Sequence, residues 1–226
     1  MTMPANRAPG GQNKLAADLI RYGNLLVSRG LVTGTGGNIS ARVPGQDAFL
    51  ITPSGIPYLE IQADDMVQVS LSGRKLAGKR KPSIEQHLHR LIYRARSDVK
   101  AVVHTHAVFS AAIAATRQDL PPILDTIVAA FGGGIKTADY ASIGTLELAQ
   151  NAVAALGTRD AVLLANHGAV CTGADLAQAF DRAELLEASA KTYIFSHLIG
   201  RPVVLAPEIV EKEAQDLAQR YGQDNK

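Results

Sequence analysis

Two histidines two residues apart, His104 and His106, end a short valine-rich apolar run that begins at Val99. A run of this kind is typical of a buried strand. Side chains at positions i and i+2 of a strand point to the same face, so the two imidazoles would lie side by side at the strand's end. Such a pair could bind a divalent metal; the alternative is a pair of hydrogen-bonded structural histidines.

A third histidine, His167, also follows a short apolar run, over residues 161–165, which predicts a second buried strand. The glycine after it, Gly168, would let the chain turn sharply. Three nitrogen ligands at strand ends, with further coordination positions open, are typical of a catalytic metal site.

Glu85 lies in the first turn of a helix that the sequence predicts from Ser83, its N-cap, to about Arg96. Free N–H groups and the helix dipole favour an anion at such an end, so the Ser83 hydroxyl could help to bind a phosphate. Glu85 could take part in chemistry, or it could only cap the helix. His87 and His89 lie two residues apart on this helix and point to different faces, so we assign them to the surface or to packing.

Two turns carry residues that could contact a ligand. The segment Gly34-Thr35-Gly36-Gly37-Asn38-Ile39-Ser40 has three glycines in four residues, so its backbone could approach a ligand closely and its N–H groups could form an anion nest. The alternative is a tight turn without a ligand. Thr52-Pro53-Ser54-Gly55, which follows a predicted strand over 48–52, is a turn with two hydroxyls.

The other elements follow from the periodicity of the apolar residues. Helices are predicted from Leu15 to near Gly30 and over 107–115, 146–156, 175–200 and 207–221, and further strands over 66–71 and 127–131. The first half is therefore strands and turns rather than repeating βαβ units. The basic run 74–81 is a charged surface loop or hairpin. We expect residues 1–11, rich in Pro and Gly, to be disordered, and residues 12–226 to form one domain.

Composition excludes several classes of protein. The chain has 226 residues, 46% hydrophobic and 19% charged, which suits one globular domain with a large core. A net charge of +2 is too small to imply a nucleic-acid or membrane partner. The single cysteine, Cys171, excludes an intrachain disulfide and fits a reducing compartment. We see no signal peptide and no span long enough to cross a bilayer, and we expect a cytoplasmic protein.

Five motifs together carry a resemblance to a known family. Gly-Thr-Gly-Gly-Asn-Ile-Ser, Thr-Pro-Ser-Gly, Lys-Pro-Ser-Ile-Glu, His-Thr-His and Asn-His-Gly follow one another in the order found in the class II aldolase/adducin family. The chain resembles this family, and within it the fuculose-1-phosphate aldolase branch, over nearly its whole length. The resemblance implies an α/β fold with a mainly antiparallel central sheet flanked by helices. It also implies a homotetramer with active sites between subunits.

The resemblance also assigns site residues. It places the metal ligands on His104, His106 and His167, with Glu85 as both catalytic acid/base and resting-state ligand. It implies one divalent metal per chain, for which we expect zinc, with manganese or cobalt as alternatives. The tail tyrosine of the aldolase branch matches Tyr221, which could act on a proton of the second fragment. The phosphate loops fall on Gly37, Asn38, Ser54, Gly55 and Ser83.

Two departures from the aldolase pattern concern the substrate. Ile84 stands where that branch has a second serine, so one phosphate hydroxyl is lost. Thr126, preceded by Asp125, stands where the branch uses a tyrosine after the His-x-His strand. The ribulose-phosphate 4-epimerase branch has an aspartate near this position. Both departures bear on which sugar phosphate the protein uses.

The residues support a retro-aldol reaction. Cleavage leaves a carbanion next to a ketone, and a divalent metal could stabilise its charge as a Lewis acid while Glu85 carries the proton. We therefore expect a metal-dependent lyase that cleaves a ketose 1-phosphate, such as a deoxy- or methylthio-pentulose 1-phosphate, to dihydroxyacetone phosphate and an aldehyde. A 4-epimerase and a sugar-acid phosphate decarboxylase are the enzymatic alternatives. An adducin-like assembly domain is the non-enzymatic one.

Overall fold

The computed structural model describes residues 10–220, which form one eight-stranded sheet with seven α-helices. The strands are β1 (Asn38–Arg42), β2 (Ala48–Ile51), β3 (Val67–Ser70), β4 (Lys75–Ala77), β5 (Ala101–Thr105), β6 (Lys136–Ala138), β7 (Ala161–Leu164) and β8 (Gly168–Gly173). The helices are α1 (Gly10–Ser28), α2 (Gln86–Ala95), α3 (Val108–Thr116), α4 (Asp125–Phe131), α5 (Leu146–Leu156), α6 (Leu176–Ile199) and α7 (Pro207–Arg220).

The sheet is mainly antiparallel, as the family resemblance implied. Its strand order is β4-β3-β2-β1-β5-β8-β7-β6, and only β6 and β7 pair in parallel. β5, the strand that ends at the paired histidines, lies at the centre between β1 and β8. A central strand has both edges hydrogen-bonded, which fixes the direction of its side chains.

Each face of the sheet packs against its own set of helices. Val103 of β5 belongs to a core that includes residues of α1, α3, α4 and α6. Its neighbour Val102 points to the opposite face and belongs to a core with α2 and α5. By the same alternation His104 lies on the face that α2 covers. The α2 helix carries Glu85 at its N-terminus, so the sheet and this helix bring the two side chains together.

Three sequence-based predictions need correction. The run 127–131 is part of α4 and not a strand, because a short apolar run does not distinguish a strand from one buried helical turn. Helix α2 begins at Gln86 with Glu85 as its N-cap residue, and the Ser83 hydroxyl accepts a hydrogen bond from the Glu85 backbone N–H within the preceding turn. Helix α1 already begins at Gly10, so residues 10 and 11 are helical rather than disordered. Residues 1–9 and Tyr221 lie outside the described residues.

The other predicted elements are confirmed to within about two residues, and the basic run contains β4, which forms a hairpin with β3. None of the helices in the range 10–220 is long and apolar enough to cross a membrane.

The glycine loop before β1 packs directly on the histidine strand. Gly37 has a positive φ of 69°, and a Cβ atom there would lie 2.5 Å from the His104 backbone oxygen and 2.7 Å from Val32 Cγ1. A Cβ on Gly36 would lie 2.8 Å from His106 Nδ1. A side chain at either position would therefore clash with the histidine segment, so both glycines are needed whether or not the loop binds a ligand.

We predict that Gly37→Ala destabilises the fold by about 1–3 kcal/mol more than Gly30→Ala, measured as the free energy of unfolding in urea. Gly30 is the matched control, because its φ is also 69° but a Cβ there would meet no atom within 4 Å. The control therefore carries only the left-handed backbone penalty of about 1–2 kcal/mol. Equal losses in the two variants would show that the loop does not need its close approach to β5.

Candidate metal centre

Four side chains from three separate parts of the sequence converge beside the end of β5. One ligand-type atom from each of Glu85, His104, His106 and His167 lies within 4.8 Å of all the others. His106 Nε2 is 2.9 Å from His104 Nε2 and 3.1 Å from His167 Nε2. The Glu85 carboxylate oxygens lie 3.2 Å from His104 Nε2 and 3.4 Å from His167 Nε2. Glu85 and His104 are buried, whereas His106 and His167 keep some exposure.

Strand pairing and two turns hold these residues in place. In the register of the sheet, His104 lies opposite Asn38 of β1 and Val170 of β8. His167 lies in the tight turn between β7 and β8. The residue with the left-handed backbone in that turn is Asn166, at φ 55°, and not Gly168 as the sequence suggested. Gly168 is needed for space, because a Cβ there would overlap the Thr105 backbone oxygen and would also lie 3.0 Å from His106 Cδ2.

A backbone hydrogen bond fixes which nitrogen of His104 faces the other three residues. His104 Nδ1 donates to the Ala169 carbonyl oxygen at 2.9 Å, so Nε2 faces the site, and in the neutral ring this nitrogen carries a lone pair. Burial and the nearby charge of His104 lower the pKa of both His106 and His167 to about 4. The rings of His106 and His167 are therefore neutral near pH 7, as imidazole ligands must be.

The Glu85 carboxylate is ionised in spite of its burial. Burial raises its pKa, but His104, His167 and the hydrogen bond from Asn38 outweigh burial and hold the pKa well below its usual range. In the same way, burial lowers the pKa of His104, but Glu85 outweighs burial and raises that pKa. A buried carboxylate that raises the pKa of the imidazole beside it marks a site that favours an added positive charge.

The donor set fits a divalent metal. Two nitrogens bound to one zinc at about 2.0–2.1 Å in a tetrahedral arrangement lie roughly 3.3 Å apart, close to the 2.9–3.4 Å between the facing atoms here. Glu85 Oε1 is buried and receives no hydrogen bond from the described residues. Lone pairs that face one another at these distances need a shared cation or proton. The assignment of these four residues as ligands stays a prediction that this geometry supports.

The sequence-based assignment missed one buried partner of the site. His89, assigned to the surface or to packing, is fully buried, and its Nε2 bonds to Asn38 Oδ1. Asn38 in turn donates from Nδ2 to Glu85 Oε2 at 2.8 Å. The Asn38 side chain therefore contacts Glu85 and His89, a role that the motif alone did not indicate. A histidine and a glutamate four residues apart on one helix face were the available signal.

The residues expected to bind phosphate lie on loops that are held together by hydrogen bonds from backbone N–H groups. The Ser54 N–H donates to the Lys81 carbonyl at 3.0 Å, and the Ser83 N–H donates to the Thr52 carbonyl at 3.1 Å. The Ile39 N–H donates to Thr52 Oγ1 at 3.3 Å, which places the Gly37–Asn38 loop beside the same turn. The Ser54 side chain and Gly55, with φ 71°, are exposed, whereas Ser83 is buried. Their binding of a phosphate stays a prediction.

The positions at which the chain departs from the aldolase pattern are open to solvent. Ile84, between Ser83 and Glu85, is 61% exposed. Asp125 and Thr126 are exposed in the first turn of α4. An exposed isoleucine and an exposed carboxylate are available for contact with a ligand or with another subunit.

We predict that the purified protein holds about one divalent metal per chain and that His104→Ala, His106→Ala and His167→Ala each lower that content strongly. His87→Ala is the matched control, because His87 lies on α2, contacts Arg90 and is not one of the converging residues. Metal would be measured by inductively coupled plasma mass spectrometry, and folding by circular dichroism. Wild-type metal content in all three folded variants would contradict the assignment of this site.

Similarity to known proteins identifies the family. Residues 17–194 match the family described as Class II Aldolase and Adducin N-terminal domain. The chain is 38% identical over 204 residues to a 5-deoxy-D-ribulose 1-phosphate aldolase of Bacillus thuringiensis serovar kurstaki, covering 90% of this chain and 93% of that protein. It is 37% identical over 204 residues to a 5-methylthioribulose-1-phosphate/5-deoxyribulose-1-phosphate aldolase of Rhodospirillum rubrum, covering 90% and 91%. A solved L-fuculose 1-phosphate aldolase superposes with a TM-score of 0.89 at 37% identity, covering 93% of this chain and 98% of that one. The chain belongs to the class II aldolase and adducin family.

Proposed function

We propose that this protein is a metal-dependent aldolase that cleaves a 5-deoxy- or 5-methylthio-pentulose 1-phosphate to dihydroxyacetone phosphate and an aldehyde. The convergence of Glu85 with three histidines in a class II aldolase fold is the observation that carries the reaction type. An adducin-like assembly domain would have no use for three neutral imidazoles and an ionised carboxylate that face one another.

The metal, when bound, would act as a Lewis acid that stabilises the negative charge next to the ketone of the substrate. Glu85 carries the proton on the reacting carbon of the dihydroxyacetone phosphate portion, because its carboxylate is ionised and lies within the site. His104, His106 and His167 supply neutral nitrogens and move no proton. Ser54, Ser83 and the backbone of Gly37 hold the phosphate and so position the carbon beside Glu85.

Two lines of support favour this substrate. The two relatives described above act, by their names, on 5-deoxyribulose or 5-methylthioribulose 1-phosphate. Ile84 also stands where the fuculose branch has a phosphate-binding serine, and this departure supports a substrate other than fuculose 1-phosphate.

A 4-epimerase is the second candidate, and Asp125 is the observation that favours it. Its carboxylate is exposed in the first turn of α4, near where the epimerase branch uses an aspartate. An epimerase breaks and remakes the same kind of bond but releases no fragments. Release of dihydroxyacetone phosphate therefore distinguishes the two reactions.

Three further properties belong to the same proposal. Zinc is the metal we expect, since three imidazoles and a carboxylate suit it, with manganese or cobalt as alternatives. A homotetramer with active sites between subunits would allow Tyr221 of one subunit to reach the site of another. The single cysteine is buried, and burial raises the pKa of its thiol to about 12, which fits a protein of the reducing cytoplasm.

We predict that the metal-loaded protein releases dihydroxyacetone phosphate from 5-deoxyribulose 1-phosphate or 5-methylthioribulose 1-phosphate with a higher kcat/KM than from fuculose 1-phosphate. A coupled glycerol-phosphate dehydrogenase assay would measure the release, and unphosphorylated 5-deoxyribulose is the control for the phosphate loops. A preference for fuculose 1-phosphate would contradict the proposed substrate. Interconversion of pentulose phosphates without release would contradict the lyase reaction.

We predict that Glu85→Gln lowers the exchange of a C3 proton of dihydroxyacetone phosphate with solvent by about 10²–10⁴-fold, the range typical of losing a general base. Glutamine keeps the size and accepts a hydrogen bond, but it does not take up the proton. The exchange needs no aldehyde and is measured as deuterium incorporation by NMR.

The matched control is Glu147→Gln, which neutralises an exposed carboxylate in the first turn of α5. This variant should exchange at the wild-type rate. Metal content is measured on each sample, because three histidines remain in Glu85→Gln. Near-wild-type exchange by metal-loaded Glu85→Gln would exclude Glu85 as the base and leave it as a capping carboxylate.

A further inference from the structure

A continuous chain of buried hydrogen bonds ends on the Glu85 carboxylate. The Tyr93 hydroxyl lies 2.8 Å from Ser40 Oγ, which lies 2.6 Å from His89 Nδ1. His89 Nε2 bonds to Asn38 Oδ1, and Asn38 Nδ2 lies 2.8 Å from Glu85 Oε2. All five residues are at most 5% exposed. The chain links α2 to β1 behind the candidate metal centre.

Only one assignment of donors and acceptors gives every polar group in this chain of hydrogen bonds a partner. The carboxylate can only accept, so the Asn38 amide nitrogen faces Glu85 and its carbonyl oxygen faces His89. That oxygen needs a donor, which puts the proton of His89 on Nε2. His89 is neutral, since burial and the charge of His104 lower its pKa to about 3. Its Nδ1 therefore accepts from the Ser40 hydroxyl, and Ser40 Oγ accepts from Tyr93.

The direction of donation along these hydrogen bonds decides which way the Asn38 amide is turned. If His89 did not donate to Oδ1, the amide could rotate and present its carbonyl oxygen to the Glu85 carboxylate. Two oxygen acceptors 2.8 Å apart, the present distance from Asn38 to Glu85 Oε2, repel each other, and in a buried site no water screens this repulsion. The carboxylate would then turn away from the position that the Asn38 N–H now fixes.

We propose that His89, supported by Ser40 and Tyr93, is a positioning residue that locks the Asn38 amide toward Glu85 and so holds the carboxylate where it can carry the proton. This role rests on the proposed function of Glu85. None of these three side chains contacts the four converging atoms directly, so they act through Asn38. The alternative is that the chain only satisfies buried polar groups and stabilises the fold.

The decisive experiment compares His89→Gln with His89→Asn. The glutamine amide nitrogen can occupy the place of His89 Nε2 and still donate to Asn38. The asparagine side chain is one methylene shorter and reaches only the place of Nδ1, beside Ser40. Both variants keep a polar amide in the same buried place, so they differ mainly in the bond to Asn38.

The readouts are the saturated rate of C3 proton exchange of dihydroxyacetone phosphate, the concentration for half-saturation, the metal content and the melting temperature. We expect His89→Asn to lose about 10–100-fold in exchange rate, as is typical for outer partners of a metal ligand. Half-saturation and metal content should change less than about threefold, because Ser54, Ser83 and the backbone of Gly37 are unchanged. His89→Gln should recover most of the rate.

A second pair keeps the proposal testable if a His89 variant does not fold. Ser40→Ala removes a link of the chain, and Ser189→Ala removes an equally buried hydroxyl that has no hydrogen-bond partner within residues 10–220. Ser40→Ala should lower the exchange rate by less than His89→Asn but by more than Ser189→Ala, which should match the wild type.

Equal exchange rates in His89→Gln and His89→Asn would overturn the positioning role, as would equal rates in Ser40→Ala and Ser189→Ala. Losses of exchange rate that simply parallel the fall in melting temperature would also overturn it. Absence of exchange in the metal-loaded wild type would instead remove the proposed function and this role with it. The two failures are therefore distinguishable in one set of measurements.

Discussion

The structure depends on one electrostatic constraint: three imidazole nitrogens and an ionised carboxylate are held facing one another at 2.9–3.4 Å. Such groups repel when they are bare and are costly to bury. The protein imposes the arrangement through rigid elements. His104 lies on the central strand, with both strand edges paired, while His167 and Glu85 lie at a hairpin turn and a helix start that pack onto that strand. A cation shared by all four removes the repulsion, so the fold is best satisfied with a metal bound.

The same constraint explains why so much of the surrounding sequence is glycine or is buried and polar. Gly36, Gly37 and Gly168 leave no Cβ where the backbone presses against the histidine strand and its rings. Glu85 stays ionised only because donors reach it, and Asn38 is one of them. The glycine loop that brings Asn38 to Glu85 also begins strand β1. The short segment 36–38 therefore packs against the histidine strand, donates the Asn38 hydrogen bond that helps to keep Glu85 ionised, and leads the polypeptide into β1.

Much of this could be predicted from the sequence, and the failures have physical reasons. The convergence of His104, His106 and His167 was predicted because all three follow short apolar runs and because the family resemblance places the ligands on them. The segment 127–131 was wrongly taken for a strand, since short apolar runs carry no helical or strand period of their own. His89 was assigned to the surface or to packing because its partners, Asn38 and Ser40, lie about 50 residues away. Only the tertiary structure shows that this face of α2 meets β1.

We propose above all that His104, His106 and His167 bind one metal through nitrogen, with Glu85 as an oxygen ligand. X-ray absorption spectroscopy of the purified protein at the edge of its bound metal measures this directly. For zinc, we expect a first shell of nitrogen and oxygen only, at about 2.0–2.2 Å, with the outer-shell scattering of three imidazoles. In His104→Ala that scattering should fall to two imidazoles or fewer. A sulfur ligand, which only Cys171 or the methionines could supply, or a shell without imidazole would contradict this set of metal ligands.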